Sequence, residues 1–371
     1  MKAFKKYPVV ALACLALLSS CGSENEDSGP DTDYDRQTMV ANYADNLVVP
    51  AYSNFKSKTD AMATAIDASV ASPTAENLAT ARTAYQQAYL AWQDVSVYEF
   101  GPADEQMLRS SLNTYPTTSS QLESNISSGT YDLQQTANYA AKGFPALDYL
   151  LYGAGTDAAV VEQYTAGTNA AKRKKYLQDV SNLIKQRAEA VYNGWTSGDY
   201  ATTFKNSPGT AVGSAVGNLV NSLNSDIDIT KRYKVGTPAG QFTAGAALPD
   251  KVEAYYSRTS LDLLKRNIQA EKAIFMGITP SGTNGPGLDD YLDHVNARHN
   301  GTLLSDAIEA QFDAALAAAN AVQGPLSEAV TAQQQAVNKV YDELQKLIVL
   351  TKTDMPAALG VTISYNDNDG D

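Results

Sequence analysis

Residues 73–102 read PTAENLATARTAYQQAYLAWQDVSVYEFGP. Leu78, Ala81, Tyr85, Ala88, Trp92 and Val95 recur at steps of three and four, the spacing of one face of an α-helix. Ser72-Pro73 ahead of the run reads as a cap followed by proline in the first turn, and Gly101-Pro102 ends it. The same pattern extends in both directions. Upstream, Tyr43, Leu47, Ala51, Phe55, Met62 and Ile66 form a stripe that Pro50 interrupts, which predicts a kink or break. Downstream, Tyr176, Val180, Leu183, Arg187, Val191 and Trp195 form another, in which Arg187 is expected to partner a buried acid.

Residues 196–210 carry Ser-Gly-Asp and Asn-Ser-Pro-Gly and read as a domain boundary. The helical pattern resumes with Val212, Val216, Leu219, Leu223 and Ile227. Residues 234–249 are rich in Gly, Pro, Ala and Thr and read as a long loop, a kind of segment that tends to be functional or mobile. Thr259-Ser260-Leu261-Asp262 fits a capping box, with Asp in place of the usual Glu. The helix it opens carries Leu261, Leu264, Ile268 and Phe275. Two more amphipathic segments follow, broken near Gly301 and at Gly324-Pro325, the last with Leu326, Val330, Val337, Tyr341, Leu344 and Ile348. No short fixed repeat points to a solenoid. The expectation is an all-α protein of two packed helical-bundle domains, residues 38–200 and 201–371, with a cleft between them.

The first residues specify export. Lys2, Lys5 and Lys6 precede an apolar run, Val9 to Leu18, that is too short to span a bilayer and has the length of a signal-peptide core. It ends in Leu18-Ser19-Ser20-Cys21, the pattern read by lipoprotein signal peptidase. The expectation is a signal peptide at 1–20, acylation of Cys21 and attachment to the outer membrane, on its periplasmic face or at the cell surface. Several acyl chains anchor far better than one. Residues 21–37 are polar and acidic and read as a flexible tether.

The chain has 2 cysteines, 2 histidines and a formal net charge of −13. Cys14 would leave with the signal peptide and Cys21 would be acylated, so no thiol remains for a disulfide, a metal site or a nucleophile. A protein this acidic is a poor partner for nucleic acid. No H-E-x-x-H helix, G-x-S-x-G elbow or P-loop is present. His294 and His299 lie five apart, off a shared helix face, and read as surface residues near a helix end. Glu99 extends the stripe of Trp92 and Val95, where a buried carboxylate needs a cation, a donor or a metal. Residues 367–371, DNDGD, resemble the start of a calcium loop without its distal glutamate and read as an acidic tail.

Residues 143–153 read GFPALDYLLYG. They resemble the signature of the imelysin-like proteins, G-x-H-x-x-E, usually set in a run such as GFHAIEYLLFG. Val48-Val49-Pro50-Ala51-Tyr52 resembles the family's opening helix, and residues 73–102 its second. Residues 255–262, YYSRTSLD, with Asn267 and Gly277, resemble its second-domain motif, and residues 358–371 its ending. The resemblance covers nearly all of the chain beyond the tether. It implies an all-α fold of two bundle-like domains, signature groups gathered in a cleft, location in the cell envelope and a link to iron uptake. The family also carries a peptidase label. The positions carried over are Gly143, Pro145 and Asp148, then Tyr256, Ser257, Arg258, Ser260 and Asn267, with Trp92 and Glu99 beside them.

Two of those positions depart from the signature. Pro145 replaces the histidine and can neither ligate a metal nor move a proton. Asp148 replaces the glutamate and shortens its reach by one C–C bond, roughly 1.5 Å. The expected function is therefore a non-enzymatic binding lipoprotein of iron or metal uptake, with no catalytic residue assigned. If iron is held directly, its ligands are expected to be hard oxygens, Asp148 and Glu99, with tyrosines in support. The alternatives are a peptidase, for which Ser257 and Ser260 lack an evident base, and a module that receives a peptide or envelope protein in the cleft.

Overall fold

Among the described residues, the helices that frame the chain are α1 (Val49–Ala71), α2 (Ala75–Val95), α3 (Gly143–Tyr152), α4 (Ala170–Trp195), α5 (Ala215–Ile229), α6 (Ser260–Phe275), α7 (Leu304–Ala321) and α8 (Gln334–Val349). The computed structural model describes residues 33–365. The signal segment, Cys21, most of the tether and residues 367–371 lie outside the described residues. The protein is all-α; a ribbon of two two-residue strands, Arg298–His299 with Thr302–Leu303, is a minor exception. Among the described residues no helix is long and apolar enough to cross a membrane.

The stripe of α2 is buried as its spacing requires, from Leu78 and Ala81 through Tyr85, Ala88 and Trp92 to Val95. α2 packs on α1, α1 packs on α4, and α3 lies against α4. In the second half α7 packs on α8 and α6. α6 also packs against α2 and so joins the two groups of helices. One apolar core runs from Met39 to Val361 through both groups.

Three π-helical segments, Tyr43–Val48, Thr230–Gly236 and Leu350–Asp354, each end two residues before a proline: Pro50, Pro238 and Pro356. Proline has no N–H and its ring presses on the carbonyl four residues back. A widened turn ahead of it accommodates that carbonyl and lets the helix continue. The interruption expected at Pro50 is therefore a π segment followed by a proline in the first turn of α1. For the same reason the long loop expected over 234–249 begins late, since the π segment and the short helix Thr237–Ala239 occupy its first residues.

Other local expectations are corrected. The cap of α2 is Thr74, whose hydroxyl accepts from the Asn77 N–H, rather than Ser72. The capping box at Thr259 does not form. Thr259 makes no side-chain cap bond, and its hydroxyl meets that of Ser257 at 3.0 Å instead. Arg187 pairs with no acid among the described residues; it donates to the side-chain carbonyls of Gln106 and Gln134. The boundary at 196–210 contains a helix, Tyr200–Lys205. The tether expected through residue 37 is held from Asp33 onward. Asp33 pairs with His294 at 2.7 Å, and the Tyr34 ring stacks on Tyr291 at 4.7 Å. The opening turns also reach the second group of helices, because the Tyr43 hydroxyl donates to the Ile274 carbonyl at 2.6 Å.

Candidate functional site

The signature segment forms α3, and its glycine has a backbone reason. Gly143 has a φ of +74°, and a Cβ there would collide with the Leu112 carbonyl. Only glycine suits both the left-handed conformation and the close approach. Pro145 follows in the first turn, where a missing N–H costs little. One turn further on, Asp148 is 1% exposed.

A carboxylate so far from water must collect donors. Asp148 collects three. The Tyr85 hydroxyl donates to it at 3.1 Å from α2. The backbone N–H groups of Tyr256 and Ser257 donate at 2.7 and 3.0 Å from the segment that precedes α6. Burial pushes the Asp148 carboxyl up to about 6, and hydrogen bonds from Ser257, Tyr256 and Tyr85 act against that rise. Burial also raises the Tyr85 hydroxyl well above its ordinary range, with the Asp148 charge adding to the effect. Asp148 thus ties the first half of the chain to the second through backbone amides.

Two cavities flank this tie. One, of about 340 Å³, is bordered by Pro145, Asp148, Tyr115, Lys251 and the hydroxyl-bearing run 117–120. The other, of about 580 Å³, is bordered by Arg82, Tyr152, Arg258 and Glu328. Tyr255 and Tyr256 line both. Tyr255 is 40% exposed, and its ring meets that of Tyr256 edge-on at 5.1 Å. The result is a polar, tyrosine-lined crevice in two lobes. Arg258, left-handed at φ +65°, pairs with Glu328 in the outer lobe.

The remaining expected residues lie elsewhere. Glu99 pairs with Arg109, whose guanidinium also donates to Asp226 at 2.5 Å. Trp92 is buried core, with that guanidinium 5.9 Å from its ring. Asn267 donates to Asp226 at 2.8 Å. The Ser260 hydroxyl donates to the Glu253 carbonyl rather than standing ready as a nucleophile. Beside these runs a second polar cluster. Lys234 joins Glu253 at 2.6 Å and Gln93 at 2.7 Å, and Asn113 donates to Glu253 at 2.7 Å.

The direct metal site expected from Asp148 and Glu99 is not assembled. The two carboxylates are committed to different donors, and Pro145 supplies no ligand. Among the described residues no three His, Cys, Asp or Glu side chains gather to hold a metal ion. The donor set around Asp148 suits a hydrogen-bonded anion and does not fit the coordination of an ion.

Sequence reasoning missed Arg109, Asp226, Lys234, Glu253 and Glu271. Glu271 had a signal. In the stripe Leu261, Leu264, Ile268, Phe275 it occupies the empty position, three after Ile268 and four before Phe275.

An all-α protein with a glycine-opened helix, a buried acid one turn on and a tyrosine-lined crevice beside it defines a narrow class. The imelysin model of the M75 peptidase family matches residues 48–351, and the chain belongs to that family. It is 24% identical to iron-regulated protein A of Synechococcus elongatus over 92% of each chain. Its fold is similar to that of an iron-regulated protein A precursor from Parabacteroides distasonis, with a TM-score of 0.74 and 21% identity, covering 90% of this chain and 97% of the other. It is also similar to an imelysin-like protein from Psychrobacter arcticum, with a TM-score of 0.61 and 17% identity over 90% and 99% of the two chains.

Proposed function

We propose that this protein is a non-enzymatic binding component of iron acquisition, exported and held at the outer membrane by lipid on Cys21. It takes an iron-containing organic complex into the tyrosine-lined crevice and does not chelate bare iron. The observation that carries this reading is the state of Asp148. Both of its oxygens already accept hydrogen bonds, Pro145 adds no ligand, and a cavity with hydroxyls, an acid and a lysine opens beside them. The name of the Synechococcus relative supports the connection to iron. Aromatic faces and a few polar groups in a concave site suit an organic ligand. Peptide hydrolysis would need a nucleophile or activated water; the Ser260 hydroxyl donates to a backbone carbonyl, and the Ser257 hydroxyl lies among Thr259, the Ala254 carbonyl, Tyr85 and Asp148 as one more group satisfying the buried acid.

The test is iron retention. Residues 22–371 are incubated with ferric chloride or with ferric citrate, desalted, and assayed for iron by plasma mass spectrometry. Retention from ferric citrate that falls at least tenfold in Tyr255→Ala supports the reading. One iron per chain from ferric chloride, lost in Asp148→Ala, replaces it with a direct ion site. No retention from either probe removes ferric ion and ferric citrate as ligands and counts against the iron assignment. The anchor is tested separately by labelling cells with palmitate, which the wild-type chain incorporates and Cys21→Ala does not.

A further inference from the structure

Glu271 lies on α6 and is 0% exposed; Asp226 lies on α5 and is 1% exposed. Asp226 accepts from Arg109 at 2.5 Å, from Asn267 at 2.8 Å and from the Ser96 hydroxyl at 3.3 Å. Its lone pairs are well supplied, and two of its donors come from the first half of the chain. Glu271 is supplied on one oxygen only. Its Oε1 faces the Thr230 hydroxyl at 2.8 Å and the Asn267 amide at 3.3 Å. Its Oε2 is buried and has no hydrogen-bond partner among the described residues.

The cluster is short of hydrogens. Thr230 has a single hydroxyl hydrogen and faces two acceptors, Glu271 Oε1 at 2.8 Å and Asn267 Oδ1 at 3.0 Å. An ionised Glu271 would therefore bury an oxygen with no donor among the described residues, beside a second carboxylate that shares with it the Asn267 amide as donor. Such an arrangement is costly in a buried interior, and one added proton relieves it. A metal ion fits less well, because Arg109 and the Asn267 amide already occupy the approaches to Asp226.

We propose that Asp226 and Glu271 hold one proton between them, carried on Glu271 Oε2 and donated to Asp226, and that this shared proton is a pH-sensitive clasp between α5 and α6, made on the carboxylate that Arg109 and Ser96 reach across the seam of the two helix groups. Asp226 is the bridge, since Arg109 and Ser96 reach it from the first group and Asn267 and Glu271 from the second. The clasp is closed while the proton is held. When Glu271 ionises, two buried carboxylate charges face each other, and the contact of α5 with α6 beside the seam is weakened. This goes beyond the reading of the crevice and does not depend on it.

Other charged groups on the surrounding elements have partners of their own. Lys234, on the π segment, is the cation nearest in effect, and it is bound to Glu253 and Gln93. Asp228 pairs with Lys231 at 2.9 Å. On α2, Asp94 pairs with Arg266 at 2.5 Å. On α7, Glu309 and Asp313 pair with Lys272 at 3.2 and 2.5 Å. Glu328 pairs with Arg258, and Glu99 with Arg109. Burial first, and the Asp226 charge second, hold Glu271 well above the ordinary glutamate range.

The sign of the pH effect follows. The folded chain keeps a proton that the unfolded chain releases once the pH exceeds the ordinary glutamate value. The stabilisation is complete below that value and is lost as pH rises toward the pKa of the folded pair. The experiment compares the full chain in detergent micelles with Glu271→Gln, a neutral isostere. Infrared spectra at neutral pH are expected to contain a protonated-carboxyl C=O band that Glu271→Gln removes. The folding constant of wild type relative to Glu271→Gln is expected to fall about tenfold per pH unit across that window. An unchanged carboxyl band in Glu271→Gln overturns the proposal. So does a stoichiometric metal in untreated wild type that disappears in the variant, which would make the pair a cation site. If Glu271→Gln does not fold, the wild-type band decides alone: its persistence to alkaline pH supports the clasp, and its absence at neutral pH overturns it.

Discussion

Two buried carboxylates cross the seam of this molecule, and they are stabilised by different means. Asp148 is held by a tyrosine hydroxyl and two backbone amides, with no cation, at the edge of a cavity. Asp226 is held by a guanidinium, a carboxamide and a hydroxyl. The first arrangement is an anion held by dipoles beside an opening, where a ligand can reach its surroundings. The second is part of the packed interior and has a structural role. The difference separates the groups that shape the ligand site from the groups that hold the halves together.

The largest expected effect lies on the cation-paired side. Arg109→Met leaves Asp226 and Glu99 without their cation and is expected to cost about 3–5 kcal/mol, measured by urea denaturation. A loss under 1 kcal/mol would remove the distinction. The next effect is a pH profile on the dipole-held side. Asp148 is raised to about 6, so the folded state binds a proton that the unfolded chain has already released above about pH 4. Its stabilisation is full below that point and falls by up to roughly 3 kcal/mol as pH rises to about 6. The denaturation midpoint of wild type should fall relative to that of Asp148→Asn as pH rises through this range, with the smallest difference from the neutral isostere on the acid side. A wild-type profile that rises relative to the variant across this range would reverse the assignment.

Tyr85→Phe removes one of the three donors to Asp148 and is expected to cost about 1.5–3 kcal/mol at neutral pH, less at pH 4, where the acid is protonated. Equal losses at both values would mean that Asp148 keeps one protonation state throughout. The smallest effect belongs to the outer lobe. Arg258 and Glu328 are both more than half exposed, and their pairing is expected to be worth less than about 1 kcal/mol. Arg258→Ala should therefore leave the thermal midpoint nearly unchanged, and any change in ligand retention then reports on the crevice.

The helices were legible because burial follows their stripes closely, from Leu78 to Val95 and from Leu261 to Phe275. The π segments were not, because a proline in sequence says that a hydrogen bond is lost without saying how the chain adjusts. Asp148 was found through its resemblance to the family signature, and Tyr256 and Ser257 through the second motif. Their roles were not legible, since both act through backbone N–H groups more than a hundred residues away in sequence. Glu99 was read at the end of a core-facing stripe either as a solvated acid or as one in need of a partner; it is partly buried and paired, but Arg109, ten residues on in a short helix, lies on no stripe that would reveal it. Glu271 fell in the gap of its own stripe and could have been read there.

In the proposed function the crevice beside Asp148 binds an iron-containing complex while Asp148 remains a hydrogen-bonded anion. Anomalous diffraction at the iron edge, on crystals soaked in ferric citrate, tests it directly. An iron peak is expected inside the crevice near Tyr255 and Tyr256, with the amides of Tyr256 and Ser257 still donating to Asp148. Iron within bonding distance of the Asp148 carboxylate, or no iron in the crevice, would contradict it.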